Sequence, residues 1–312
     1  LAFFEKQRMK LVVLGSAAGG GFPQWNCNCA QCAGVRAGQP GLVARTQSSV
    51  AVGGPQDWLL VNASPDVLQQ IRATPALQPA RALRDSGIAG VLLADGQIDH
   101  TTGLFMLRER ASPLPLWCAD PVFEDLTQGN PILKVLGHFC GVARQRVALD
   151  GSAFEVPGVA GLRIEALPLK SKPAPFSPHR ENPVEGDNLG FIFENTHSGR
   201  RIFYAPGLAE IEPAVWTAMC SADVVMVDGT FWTDDEMLRL GISKKLGSQI
   251  GHLPQSGAGG MLEQLARLPA STQKWLIHIN NTNPILNEHS PERAACTAAG
   301  VQVSFDGLEV EF

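Results

Sequence analysis

The chain of 312 residues has no apolar run near the roughly 20 residues that cross a bilayer as a helix, so no membrane span is expected. It is poor in charge, with 18% charged residues against a usual ~25%. With 45% hydrophobic residues it has the balance of a globular chain with a full core. Positive excess is missing as well: 25 Lys and Arg against 30 Asp and Glu give a formal net charge of −5. A nucleic-acid backbone calls for a basic face and is therefore not the expected partner. Gly19-Gly20-Gly21 follows a strand-like run, but no Gly-Lys-Ser/Thr and no G-x-G-x-x-G spacing marks a nucleotide loop. The glycines read as a tight turn against neighbouring backbone, or as a loop lining a site. Leu1–Arg8 lacks the basic segment before an apolar core that a secretory signal carries, and reads as an extension or expression remnant ahead of Met9. No flexible linker divides residues 9–312, which are expected to form one domain.

A disulfide framework is also absent. The seven cysteines are odd in number, and Cys118, Cys140, Cys220 and Cys296 are scattered in apolar or helical contexts. That usage suits a reducing compartment, and a cytoplasmic location is expected. The other three crowd into Cys27-Asn28-Cys29-Ala30-Gln31-Cys32. Thiolates this close converge more readily on one Zn²⁺, at about 2.3 Å each, than on one another. A structural zinc is expected, with a fourth ligand from elsewhere in the chain. A redox Cys-x-x-Cys is the weaker reading, because Cys29–Cys32 is not expected to open a helix after a strand.

Along the chain, Met9–Gly15, Ser48–Val52, Trp58–Asn62, Ile88–Leu93 and Leu114–Cys118 read as strands. Ser64-Pro65-Asp66 reads as a helix start with a serine N-cap. Thr101–Arg110 reads as a helix, and Pro121–Phe139 as a helix interrupted at Gly129-Asn130-Pro131. In the second half, Leu162–Leu167, Leu189–Glu194, Arg201–Ala205, Val224–Asp228 and Lys274–Ile279 read as strands, with Glu212–Ser221 and Gly257–Leu268 as helices. Lys170–Gly186, rich in Pro and charge, is a long loop of the kind that carries function. Hairpins followed by strand–helix alternation in both halves predict two sheets with helices outside, a four-layer α/β sandwich.

The second chemical signal is Asp99-His100, after a buried strand and before a helix. A lone Asp-His pair is more often a cap and a satisfied histidine. His278 raises its weight, since an unpaired imidazole inside the apolar run Leu276–Ile279 is costly to bury. Asp99, His100 and His278 together make a two-histidine, one-carboxylate set with open positions, suited to non-haem Fe(II). His252 is a further candidate within Gly251-His252-Leu253-Pro254.

The runs Gly15–Cys29, Ser177-Pro178-His179-Arg180, Tyr204-Ala205-Pro206-Gly207, Asp228-Gly229-Thr230-Phe231-Trp232, Gly251-His252 and His278–Pro284 are long and specific. Together with Gly190-Phe191 they resemble the metallo-β-lactamase superfamily and, within it, a family of pyrroloquinoline quinone (PQQ) biosynthesis proteins, from Met9 to the carboxyl terminus. The resemblance implies an αββα sandwich of metallo-β-lactamase type with its site at the shared edge of two sheets. It also marks departures. Hydrolases of the superfamily carry H-x-H-x-D-H, whereas Asp95 and Gln97 stand at the first two histidine positions here. Gly207 falls where a bridging aspartate would lie, and no histidine occurs near Lys170–Lys172. A mononuclear site of Asp99, His100 and His278 is what remains, with Asp228 and His252 where related enzymes keep an acid–base pair. The resemblance further implies Asn281, three residues after His278, as a candidate fourth zinc ligand, beside water or another nearby donor.

The activity so implied is Fe(II)- and O₂-dependent hydroxylation of the tyrosine ring of a Glu-Tyr-derived precursor of the quinone, other divalent metals being admissible. His252 would transfer protons, and Lys172 or Arg180 would meet substrate carboxylates. Without the family context, solvated loop charges are at least as good a reading of those two residues. The expected partner is that small-molecule or dipeptide-derived precursor, alongside other proteins of the pathway. Two rivals stand beside this reading. One is a carrier that holds the finished quinone and aids its transport to the periplasm; the other is a metal-dependent hydrolase, against which the missing ligands count.

Overall fold

The computed structural model describes residues 9–312, and the Leu1–Arg8 extension lies outside the described residues. Fourteen strands run in chain order: β1 Lys10–Gly15, β2 Ser49–Gly53, β3 Trp58–Val61, β4 Ile88–Leu92, β5 Leu114–Cys118, β6 Val142–Arg146, β7 Ala153–Glu155, β8 Leu162–Pro168, β9 Leu189–Asn195, β10 Arg201–Ala205, β11 Val224–Asp228, β12 Gln273–Ile277, β13 Gln302–Val303 and β14 Glu309–Glu311. They form two seven-stranded sheets, ordered β14-β1-β2-β3-β4-β5-β6 and β13-β12-β11-β10-β9-β8-β7. Both are mixed: β3 to β6 and β10 to β13 pair in parallel, the rest antiparallel.

Burial explains why the sheets stack. Alternate side chains point to opposite faces, and here both faces are apolar. Val13, Val50, Val61, Phe191, Phe193, Tyr204, Met226 and Ile277 belong to the cluster between the sheets. Their strand neighbours Phe203, Val225 and Val227 pack outward with Val215, Met219 and Leu265 of the helices Pro213–Ser221 and Met261–Ala266. On the other side Leu60, Val91, Leu93 and Leu116 pack with Leu104, Leu126 and Leu136. One apolar layer inside and one outside each sheet give the predicted αββα sandwich.

Several expectations need correcting. Thr101–Arg110 is not a continuous helix: an α-turn at Ile98–Thr101 passes into a tighter 3-10 run at Thr102–Leu107. Gly103 forces close passage there, since a Cβ on it would meet the Ser64 carbonyl at 2.2 Å. Ser64 is not the N-cap of its helix. The helix spans Val67–Ala73 behind Asp66, and the Ser64 hydroxyl accepts from the Asp66 N–H at 3.2 Å and donates to Gln70. The run beginning at Gly257 is helical only over Met261–Ala266, because Gly257 and Gly259 adopt positive φ. Strands β6, β7, β13 and β14 and the helices Ala30–Arg36 and Pro291–Ala298 escape the sequence reading, being short or half-exposed.

Candidate functional site

The parallel strands bring their carboxyl ends to one edge. Beyond β4 stand Asp95, Asp99 and His100; β11 ends in Asp228 and leads to Thr230; His278 follows β12. Short links join the sheets there. The Leu189 N–H donates to the Ala94 carbonyl at 2.8 Å, and Ala18 and Ile279 donate into the strand-like contact between Ser16–Ala18 and Ile279. Gly19 explains part of the glycine run, since a Cβ there would crowd the Asp99 carboxylate at 3.2 Å. The loop lines the site and holds no nucleotide motif.

Asp99, His100 and His278 present ligand atoms within 4.8 Å of one another. The Asp99 Oδ2 lies 3.3 Å from His278 Nε2 and 3.7 Å from His100 Nε2. Each imidazole is oriented through its other nitrogen. His100 Nδ1 meets both Asp95 oxygens, at 2.8 and 2.9 Å. His278 Nδ1 meets the Thr230 hydroxyl at 2.9 Å. Nδ1–H donors in both bonds leave both Nε2 lone pairs facing Asp99. His100 Nε2 is buried and has no hydrogen-bond partner, which is costly unless a cation or proton answers it. His278 also sits at φ +60°, a left-handed conformation that a non-glycine residue adopts at some cost. An orphaned buried nitrogen beside a second nitrogen and a carboxylate fits a single metal with three protein donors.

The pair beside it is wired differently. The His252 Nδ1 lies 2.6 Å from Asp228 Oδ2, and Thr230 donates to Asp228 Oδ1 at 2.6 Å. Asp228, His252 and His278 also lie within metal-holding distance. However, Asp228 already accepts from His252, Thr230 and the Leu208 N–H. The filled carboxylate reads as an orienting acceptor, leaving His252 Nε2 as a free base over the cavity. His252 stacks on His278 with ring centroids 5.5 Å apart.

Charge follows the geometry. Burial disfavours the His100 imidazolium, yet the Asp95 and Asp99 carboxylates outweigh it and raise the pKa to about 9. Burial likewise works against ionised Asp99, and the neighbouring His100 and His278 more than offset it, holding its carboxyl well below the usual range. Burial again opposes the charged forms of Asp228 and His252; each lifts the other toward ionisation, lowering the acid and raising the imidazole.

These groups open into a cavity of about 430 Å³ that Lys172 and Arg180 also line. The Arg180 guanidinium donates to the Pro173 carbonyl, and the Lys172 ammonium has no ion pair among the described residues. Asp95, Thr230 and Lys245 are among the lining residues that the sequence does not mark as site residues. Asp95 was visible only as a missing histidine, and Thr230 lay inside a recognised run. Nothing in the sequence singled out Lys245.

The three thiols converge, as expected, within 4.8 Å of one another. Cys29 caps the helix Ala30–Arg36, which corrects one ground for setting the redox reading aside: the cysteine does open a helix, although a loop and not a strand precedes it. Arg36 fastens the loop through the Gln24 and Cys27 carbonyls. The Asn281 amide lies over the cluster, its Nδ2 at 3.1, 3.8 and 3.4 Å from the sulfurs of Cys27, Cys29 and Cys32. Turning that terminal amide would offer Oδ1 to a cation among the sulfurs. Burial raises the Cys29 thiol to about 11, whereas at Cys27 the Cys29 N–H, the neighbouring thiols and the Asn281 amide outweigh burial and lower it.

Comparison with known proteins bears on the family and the fold. The family model of the beta-lactamase superfamily domain matches residues 57–279. The coenzyme PQQ synthesis protein B of Azoarcus sp. (strain BH72) is 62% identical over 301 residues, 96% of this chain and 99% of that protein. Its counterpart in Methylococcus capsulatus is 54% identical over 97% of this chain and 99% of its own. Among solved structures, Zn(2+)-bound PqqB from Methylobacterium extorquens superposes with a TM-score of 0.88 at 37% identity, covering 97% of this chain and all of that one. A diphosphatase from the PhnP family shares the fold, with a TM-score of 0.68 at 20% identity and coverage of 98% and 97%.

Proposed function

Given that the chain belongs to the coenzyme PQQ synthesis protein B family of the beta-lactamase superfamily, we propose that it acts in PQQ biosynthesis as a metal-dependent hydroxylase. Its substrate is the tyrosine ring of a Glu-Tyr-derived precursor, with O₂ as oxidant. The observation that carries the reading is the three-donor set Asp99, His100 and His278, with an unpartnered His100 nitrogen aimed at Asp99. Iron(II) held there would supply O₂ activation beside the ring; other divalent metals fit the same donors. A structural zinc belongs with Cys27, Cys29, Cys32 and Asn281, a reading supported by the convergence of the three thiols, and the solved relative binds Zn²⁺.

The chain's own residues supply the rest. Lys172 and Arg180 meet the precursor's carboxylates at the cavity wall and set the ring's depth. His252, its Nδ1–H held by Asp228, uses Nε2 to take the proton that the ring or phenol releases. The balance is ordinary for ring hydroxylation. One oxygen atom enters the C–H bond and the other leaves as water, with two electrons and two protons supplied by an external thiol or enediol reductant. Gly207, Asp95 and Gln97 leave a second metal without the ligands that hydrolytic relatives use, so a bridged hydroxide is not available as nucleophile. A single domain over residues 9–312 and a cytoplasmic location complete the proposal. Among the described residues no helix is long and apolar enough to cross a membrane.

Isotopes decide it. Under ¹⁸O₂ the product should gain the label, and under H₂¹⁸O with ordinary O₂ it should not, apart from exchange at quinone carbonyls. His252→Ala should slow turnover by about 10²–10⁴-fold, the usual range for a positioned acid–base group, while iron content stays unchanged. Label arriving from water alone, or full turnover without oxygen, would return the site to hydrolysis. A protein that binds the quinone tightly and turns nothing over would be a carrier.

A further inference from the structure

The loops that carry the parts of the site meet at one short segment, Ser171-Lys172, on the cavity wall. Gln97 reaches it from the turn that bears Asp99 and His100, its Nε2 donating to the Lys172 carbonyl at 3.3 Å. From the other side the Ser171 hydroxyl donates to the Gly251 carbonyl at 2.8 Å, one residue before His252. The approach is tight. Gly251 takes φ +101°, and a Cβ on it would meet the Ser171 Oγ at 2.6 Å and the Lys172 nitrogen at 2.8 Å. Only glycine lets the two loops touch there. Gly207 borders the same segment, since a Cβ on it would lie 4.0 Å from the Ser171 Oγ. The start of the segment is fixed as well, the Ala209 N–H donating to the Lys170 carbonyl at 2.8 Å.

These are the positions at which hydrolytic relatives hold a second metal. Gln97 stands where a histidine would be, Gly207 where the bridging aspartate would be, and Lys170–Lys172 where a further histidine would be. A metal shared by such residues ties their loops together. In this chain hydrogen bonds join the same loops, and they run through a single dipeptide. His252 is otherwise held by the Asp228 carboxylate at its Nδ1 and by the Gly247 carbonyl at its backbone N–H, at 3.1 Å. Ser171 adds the restraint on the peptide that precedes it.

We propose that Gln97 and Ser171 are positioning residues that take over the tying role of the second metal, setting Lys172 and His252 at a fixed separation across the cavity. Their duties divide. Gln97 orients the cation through the Lys172 carbonyl, and Ser171 orients the base through the Gly251-His252 peptide. A substrate carboxylate held at Lys172 is thereby presented to His252 in one register, which is what a positioned base needs. This division rests on the roles given above to Lys172 in binding and His252 in proton transfer.

The test uses the full chain and two variants that remove neither a charge nor a metal ligand. Ser171→Ala should lower kcat by about tenfold and leave KM in place, because the base shifts while the cation does not. Gln97→Met should raise KM by about three- to tenfold, the usual worth of one neutral hydrogen bond, with kcat little changed. Calorimetry with the free dipeptide Glu-Tyr on metal-free protein should show the same split, a weaker Kd in Gln97→Met alone. Ser171→Thr, which restores the hydroxyl, should recover kcat. Imidazole NMR reads the base directly: the His252 ring resonances should move in Ser171→Ala and stay in Gln97→Met. A wild type that neither binds Glu-Tyr nor turns over would fault the roles of Lys172 and His252, and the NMR comparison would still decide whether Ser171 sets His252. Unmoved His252 resonances in Ser171→Ala overturn the proposal. So do losses of one kind in both variants, or equal losses in Ser171→Ala and Ser171→Thr.

Discussion

The thiol clamp and the Asp–His set both gather three donors within 4.8 Å, but they draw on the chain in opposite ways. Cys27, Cys29 and Cys32 come from one loop and the first turn of one helix, so their convergence is local and needs little of the fold. Asp99, His100 and His278 meet across 179 residues, held by the carboxyl ends of β4 and β12 in different sheets. The clamp is soft and sulfur-rich and is closed over by an amide. The Asp–His set is hard, partly open, and backed by Asp95 and Thr230. A local soft site suits a metal that fastens a loop, and a shared-edge site with a free face suits one that does chemistry. The two are nevertheless joined, since His278 and Asn281 lie in one segment that Gln31 ties to the clamp through the Thr282 carbonyl at 2.8 Å.

The largest expected effect is a double dissociation. Asp99→Ala and His278→Ala should each abolish iron binding while zinc content and the melting temperature hold, because two donors rarely keep a mononuclear metal. Cys29→Ser should do the reverse, losing zinc and lowering the melting temperature, since metal affinity at a folded clamp is partly folding free energy. Metal analysis and thermal unfolding of the three variants read both halves. Unaltered iron in both site variants, or full zinc and stability in Cys29→Ser, would dissolve the contrast.

A smaller effect separates the sites by what stands behind them. The carboxylate of Asp95 fixes the His100 tautomer and adds basicity, and nothing of that kind backs the thiols. Asp95→Asn should weaken iron binding by about 10–100-fold, the usual loss for such a supporting partner, and leave zinc alone. Asp95→Glu, which keeps the charge, should recover part of the loss. Equal iron affinity in all three proteins would reduce Asp95 to a packing residue.

The legibility of the two regions follows the same division. The clamp could be read from spacing alone, because neighbouring thiols must lie close whatever the fold. The Asp–His set needed the fold: buried strands at Ile88–Leu92 and Gln273–Ile277 were visible as aliphatic runs, and so were the histidines at their ends. The supports were not. Asp95 looked like a lost ligand, and its use appears only when the turn Asp95–Gln97 brings its carboxylate under His100. Thr230 is ordinary in sequence, and its contact with His278 depends on β11 and β12 lying side by side. Strands β6 and β7 were missed because their exposed, charged faces lack the alternation that marks a buried strand.

The smallest expected effect lies beneath the Asp–His set, where the clamp again has no counterpart. Asp125 is fully buried in a π-helical turn, its Oδ2 packed where a Cβ on Gly96 would stand. Burial raises its pKa to about 6, the Ser177 hydroxyl opposes that rise, and the charge of Asp187 adds to it, with His179 and Asp95 acting more weakly. The sign follows from linkage. Folded Asp125 keeps its proton up to about pH 6, while the unfolded chain loses it near pH 4. Raising the pH through that window therefore favours unfolding, and the loss stays constant above it. Asp125→Asn removes the cost, because an amide holds a similar shape without ionising. The variant should gain on the order of 1 kcal/mol over wild type at pH 7.5, after allowance for solvent screening. That is about 1–2 °C in melting temperature for a chain of this size. At pH 4 the two should melt together. An advantage of the same size at both pH values would mean that the amide packs better, and that no buried ionisation strains the floor of the site.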